Sequence, residues 1–458
     1  MKLIISNKIS SIIDPTKEVI DLFKNFFTLK DERKAFVKSN DPSKRFNNKK
    51  IESVKFYYFI DNKIVFFSGL LVDVLKTIKK NNIKIDIDNR LVSLEYQGKD
   101  YSDEELRKYF NPNFTYVDHQ IRALKKMLKS YGGIIKATTA SGKTEIMLAF
   151  CKLVNLKTLI LVNKQDLGKQ TAKRLNDGGF SVIYRGSDKK GKVNLESSYV
   201  CTIGMAKDLP NDFDIVIVDE CHRASAATFQ DYLMKSKAKA FYGFSATPEG
   251  NHKVDFMKVK QHLYGIIEEI NAEELLENNV IAFPNITFID NECIGTLDWD
   301  SANELCIIHN RDRNEKIRDL VFKHKQPTLI LVRNIEHGLE LEKMIEGSLF
   351  VNGSKDSEFR KDVIDRMESR DLKYVIASNI FNEGISINAI RVLIVASGGK
   401  SKIETVQRLG RALRKDEGKE EAIVYDFYDY GNKYTSRHSE ERMRTYKKVG
   451  FPVNLLES

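Results

Sequence analysis

Lys143 lies in the stretch IIKATTASGKTEIML, residues 134–148, where an apolar run gives way to small residues and then to Gly142-Lys143-Thr144 at the head of a helical pattern. A helix start leaves backbone N–H groups without partners at the positive end of the helix dipole, and small residues let a loop wrap an anion there. Four residues separate Ala137 from Gly142, which is the spacing of a phosphate-binding P-loop with alanine where the first glycine is usual. In that reading Thr139, Ala140, Ser141 and Gly142 cradle the phosphates, Lys143 reaches the β/γ-phosphates and the Thr144 hydroxyl binds Mg2+. An ordinary helix start in a parallel α/β protein is the competing reading.

A second cluster, Asp219-Glu220-Cys221-His222, ends the apolar run FDIVIV. Functional groups in parallel sheets gather at the carboxyl ends of strands, so these side chains are expected beside the P-loop. Asp219 is assigned to the metal and Glu220 to the attacking water. Farther along, Ser245-Ala246-Thr247 follows AFYGF, and ETVQRLGRALRK spaces Arg408, Arg411 and Arg414 three residues apart. That spacing aligns the three guanidinium groups on one helix face, where they could stabilise charge on a γ-phosphate. An arginine-rich surface helix is the alternative.

The elements that must position these residues can be read from hydrophobic pattern. GGIIKAT, KTLILVN, SSYVCTIG, FDIVIVDE and AFYGFSAT are buried-type strands separated by helical stretches, and PTLILVR, LKYVIAS, IRVLIVAS and EAIVYDF resume the pattern. Such alternation predicts two successive α/β domains with parallel, doubly wound sheets. Before them, two β-rich runs flank Asp61-Asn62-Lys63 as a hairpin, and residues 70–80 carry helical periodicity, predicting a small α/β module. Prolines 112, 284 and 327 fall at plausible seams, which gives blocks at 1–112, 113–280 and 281–458.

Composition narrows the class. The chain has 458 residues, too many for one core, and 42% hydrophobic with 30% charged residues suits a globular protein. A formal charge of +10 points to a polyanionic partner, and residues 1–112 hold 22 Lys+Arg against 16 Asp+Glu. In that block KSNDPSKRFNNKK is suited to phosphate contacts or to a solvated loop. Phe56, Tyr57, Tyr58 and Phe66 are candidates for base stacking, with hairpin core packing the stronger expectation. No apolar run reaches the eighteen or so residues of a membrane span, no membrane partner is expected, and the expected location is the cytoplasm. Five scattered cysteines without a C-x-x-C pair predict buried free thiols rather than disulfides or zinc.

Taken in order, ATTASGKT, DECH, SAT, ASNIFNEGISI and QRLGRALR resemble motifs I, II, III, V and VI of the superfamily 2 helicases of the DEAH/DECH-box kind, over residues 113–430. The resemblance implies two tandem RecA-like domains after the small N-terminal domain, and ATP with Mg2+ as cofactors. It implies that Gln120 reads adenine, that His222, Ser245 and Thr247 couple nucleotide state to nucleic acid, and that Arg411 and Arg414 are arginine fingers. Gly384 matches the motif V glycine, while Gln407 and Arg408 match the opening glutamine and first arginine of motif VI. Ser386 departs from the aspartate common in DEAD-box motif V. Within the superfamily the basic first block, EGIS in motif V and the tail RHSEERMRTYKKVGF look most like bacteriophage recombination helicases of the UvsW type. Such enzymes imply ATP-driven branch migration, fork regression and R-loop dissociation on branched DNA, by an expected monomer in the host cytoplasm if phage-encoded. RNA helicase, restriction-complex translocase and nucleotide-switched scaffold are the alternatives, so RNA is a second candidate partner.

Overall fold

The computed structural model describes the chain except residues 32–51, 111–117, 139, 188–192, 251, 279, 294, 296–297, 355–356, 379–386, 400–417, 449 and 457–458. It falls into two compact units, Met1–Ala137 with Lys143–Glu269 and Thr138–Gly142 with Ile270–Ser458.

The first unit opens with a five-stranded sheet in the order Tyr58–Ile60, Lys63–Phe67, Ile9–Ile13, Lys2–Ile5, Asp86–Asn89. Asp61 and Asn62 both have positive φ, 44° and 56°, the conformation that lets a two-residue hairpin follow the twist of its strands. Leu3, Ile12, Ile64 and Phe66 project to one face and pack under Val19 and Phe23 of helix Lys17–Phe26 and Val74 and Ile78 of helix Leu71–Lys80. Phe56, Tyr57 and Phe66 belong to this core, so of the four aromatic stacking candidates only Tyr58, 54% exposed, reaches solvent.

This module is fixed to the parallel sheet that follows it. A Cβ at Gly69 would stand 2.2 Å from the Lys260 carbonyl oxygen, so the backbones approach as only glycine allows. Asn7 donates to the Lys239 carbonyl at 3.3 Å, and Lys8 donates to the carbonyls of Met234 and Ser236 at the end of helix Ala227–Lys235, where a cation is favoured.

The parallel sheet itself has seven strands in the order Ile183–Arg185, Tyr199–Thr202, Thr158–Val162, Ile215–Asp219, Ala240–Ser245, Gly132–Ala137, Ile266–Ile270. Thr158–Val162 is buried along its whole length, as a strand covered on both faces must be. The second unit repeats the architecture with seven parallel strands, Ser348–Val351, Tyr374–Ala377, Thr328–Leu331, Val392–Val395, Glu421–Tyr430, Phe283–Glu292, Val453–Leu456. These are two tandem RecA-like doubly wound domains, preceded by a small α/β domain.

Two sequence expectations change here. Pro284 is the second residue of a ten-residue strand rather than a seam. It is tolerated because pairing to Val453–Leu456 starts only at Ile286, leaving one side without a ladder at the proline. The RHSEERMRTYKKVGF tail is integral to the second sheet: helix Lys433–Lys448 packs on strand Glu421–Tyr430, and Val453–Leu456 adds the edge strand.

Candidate active site

Strand Gly132–Ala137 delivers the chain into the loop before helix Lys143–Val154. Ala137 does not have positive φ, so alanine suffices where glycine is usual. The left-handed positions fall instead at Ala140 (φ 70°) and Gly142 (φ 79°), on either side of Ser141. Alternation of this kind turns successive N–H groups inward as an anion-binding nest. Ser141 closes the turn on Thr138, its N–H and Oγ both donating to the Thr138 carbonyl at 3.3 and 2.8 Å.

Strand Ile215–Asp219 ends at Glu220, a non-glycine residue at φ 50°, ψ 51°. That left-handed conformation costs about 1–2 kcal/mol. It stops the strand, and the Glu220 N–H donates to Asp219 Oδ1 at 3.0 Å. Cys221 then tucks against Gly243, where an added Cβ would lie 2.9 Å from its Sγ. The Glu220 carboxylate meets Lys143, with Nζ 3.3 Å from Oε1.

From Glu220 a line of polar contacts runs to the next strand. His222 Nδ1 lies 3.4 Å from Glu220 Oε2 and 3.0 Å from Ser245 Oγ, and Ser245 Oγ accepts from the Thr247 N–H at 3.1 Å. A proton on Nδ1 can serve the carboxylate or the hydroxyl but not both at full strength, which makes this line sensitive to what happens at Glu220.

Electrostatics separate the two carboxylates. Burial raises the Asp219 carboxyl, the Glu220 charge adds to that, and the balance stands at about 6. Burial would raise Glu220 too, but Lys143 and His222 outweigh it and hold it below the usual range. Lys143 is itself raised, because Glu220 and Asp219 outweigh the effect of burial. The Asp219 carboxylate and Thr144 hydroxyl are hard oxygen donors, the chemistry that suits Mg2+ bound beside phosphates.

The structure thus brings Lys143, Asp219, Glu220, His222, Ser245 and Thr247 together. Gln120 is buried on helix Asp118–Leu128, which packs on the P-loop helix. Thr139, Gly384, Gln407, Arg408, Arg411 and Arg414 lie outside the described residues. Sequence reading missed Lys136, the last residue but one of the P-loop strand, which lies between Glu249 at 3.0 Å and Glu269 at 2.9 Å. It also missed the Arg174 to Glu145 pair at 2.6 Å. A lysine inside an otherwise apolar strand was the available signal for the first.

Residues 113–250 match the family model described as "Type III restriction enzyme, res subunit", and residues 312–416 match "Helicase conserved C-terminal domain". The DNA 3'-5' translocase XPB2 of Sulfurisphaera tokodaii is 24% identical over 365 residues, covering 69% of this chain and 81% of that protein. The ATP-dependent DNA helicase uvsW of Enterobacteria phage T4 is 25% identical over 395 residues, covering 79% of this chain and 78% of that protein. Among solved structures, S. cerevisiae Dbp5 bound to RNA and ADP BeF3 shares the fold, with a TM-score of 0.53 at 15% identity over 74% of this chain and 89% of that one. With these two models matched in order and helicases among its relatives, the chain belongs to the superfamily 2 helicases and is an ATP-dependent helicase similar to UvsW.

Proposed function

We propose that this helicase uses ATP to remodel branched DNA, driving branch migration, fork regression and R-loop dissociation in recombination and repair. The observation that carries the DNA reading is the similarity to T4 uvsW, which spans more of this chain than the match to XPB2 does. The charge of +10 supports a nucleic-acid partner gripped through its phosphates. Residues 1–112, 113–280 and 281–458 are read as accessory, first motor and second motor domains. Cytoplasmic location belongs to the same reading; among the described residues no helix is long and apolar enough to cross a membrane.

Lys143 holds the β/γ-phosphates, Glu220 orients the attacking water, and Arg411 and Arg414 stabilise charge on the transferred phosphoryl group. Mg2+, when bound by Thr144 and Asp219, supplies charge neutralisation at the phosphate oxygens. The Lys143–Glu220 contact gives this arrangement a trigger. While the ammonium pairs with Glu220, the carboxylate is a weak base; drawing Lys143 onto a phosphate raises its basicity only once substrate is in place. His222, Ser245 and Thr247 carry that change toward nucleic acid.

The test is strand separation on a matched panel of Holliday junction, replication fork, R-loop, linear DNA duplex and RNA duplex. Strong ATP-dependent activity on the three branched substrates with little on the RNA duplex is expected. Preference for the RNA duplex would overturn the DNA assignment, and movement along linear duplex without strand separation would point to a restriction-type translocase.

A further inference from the structure

We propose that Arg442 and Arg313 are positioning residues for ATP turnover. They fix the backbone from which the chain runs directly into the segment bearing Arg408, Arg411 and Arg414. The inference rests on the reading that Arg411 and Arg414 serve turnover.

Both arginines are buried to 1% exposure or less, on helices Lys433–Lys448 and Arg311–His324. Each is neutralised by a carboxylate of strand Glu421–Tyr430, Arg442 by Asp426 at 2.9 Å and Arg313 by Asp429 at 2.9 Å. Asn291 also donates to Asp429, Tyr446 donates its hydroxyl to Asp426 at 3.0 Å, and Arg313 stacks over the Phe427 ring at 4.1 Å. Each arginine then spends a further N–H on the same short stretch. Arg313 Nη1 donates to the Ala396 carbonyl at 2.9 Å, and Arg442 Nη1 to the Gly399 carbonyl at 2.7 Å.

That stretch leaves strand Val392–Val395 through two left-handed glycines, Gly398 at φ 57° and Gly399 at φ 86°. A glycine pair has wide conformational freedom, so its direction of exit has to be imposed from outside. Arg442 imposes it by holding Gly399 O on one side and, through Nη2, the Phe427 carbonyl at 2.8 Å on the other. It therefore ties the stretch before residues 400–417 to the strand that follows them. Buried ion pairs seldom add net stability over apolar residues of similar size, whereas the planar fork of an arginine can hold a carboxylate and two backbone carbonyls at once. Lysine keeps the charge opposite Asp426 but cannot also reach both carbonyls.

The experiment measures steady-state ATP hydrolysis by the full chain at saturating DNA, with thermal unfolding in parallel, for Arg442→Lys, Arg414→Ala, the double variant and Tyr446→Phe. Tyr446→Phe removes a hydroxyl from the same cluster without touching the Gly399 carbonyl. Arg442→Lys should lower kcat by about 10²-fold, the scale of a misplacement near 1 Å, with KM for ATP within about twofold of wild type. The double variant should be no slower than Arg414→Ala alone, and Tyr446→Phe should keep wild-type kcat. Should Arg442→Lys unfold below the assay temperature, Arg313→Lys reads the same effect through Ala396.

Wild-type kcat in the lysine variants, a defect that multiplies fully with that of Arg414→Ala, or an equal slowing in Tyr446→Phe would overturn the proposal. Wild-type kcat in Arg414→Ala beside a slow Arg442→Lys would overturn the reading of Arg414 and the route assigned to the clamp. A slow Arg414→Ala beside a normal Arg442→Lys would sink the clamp alone.

Discussion

At the carboxyl ends of the first parallel sheet, Lys143 meets Glu220 with 15% of each side chain still exposed. At the carboxyl ends of the second, Arg313–Asp429 and Arg442–Asp426 are closed off to 1% or less, and each arginine also donates to a backbone carbonyl. The topology is the same and the use of charge is opposite. An ion pair that a ligand must enter is kept reachable and lightly partnered, so phosphate can displace one member. A pair that must hold backbone is buried, with its charge paired and a further N–H directed at a carbonyl, because breaking a buried pair is costly.

This contrast can be broken by substitution. Lys143→Ala should cost turnover the most, about 10³-fold or more, with thermal unfolding close to wild type. A large fall in melting temperature would mean that the exposed pair is structural after all. Asp426→Ala should do the reverse and destabilise by about 3–5 kcal/mol, because Arg442 is left as an uncompensated buried charge. Denaturant unfolding measures this, and a loss under 1 kcal/mol would deny the second pair its bracing role.

Two smaller effects sharpen the comparison. Asp219 is held up near 6 by burial and by Glu220, so without nucleotide or metal the folded state keeps a proton that the unfolded chain releases at the ordinary carboxylate value. The stability from that proton is complete below the ordinary value and is lost as pH rises through about 6. Asp219→Asn should therefore flatten wild-type stability between those limits, and an unchanged slope would contradict the assignment. Smallest is Lys8→Met, which removes the cation from the end of helix Ala227–Lys235 and should cost about 1 kcal/mol without altering turnover.

How much of this could be read from the sequence depends on whether a residue's neighbours in the chain reveal its surroundings. The Asp61–Asn62 hairpin and the strands from KTLILVN to IRVLIVAS were legible because turn chemistry and unbroken apolar runs are local signals. Ile266–Ile270 was missed because IIEEI carries two acids, one of which, Glu269, pairs with Lys136. Phe283–Glu292 was hidden by Pro284 and by its polar positions Asn285, Asp290 and Asn291. In the candidate site, Lys143, Asp219 and Glu220 announced themselves by spacing. Arg313 and Arg442 did not, since RDRNEKIRDL and RHSEERMRTYKK are charged throughout and carry no local sign of which arginine is buried. Only the sheet beneath them shows that one arginine in each is buried.

The most direct test of the account is ATP hydrolysis by the wild-type chain and by Lys143→Ala, each with and without a DNA fork. Turnover that rises on adding the fork in wild type and is absent in the variant is the predicted result. Equal turnover in the two proteins would contradict the central claim that ATP chemistry resides at Lys143, Asp219 and Glu220.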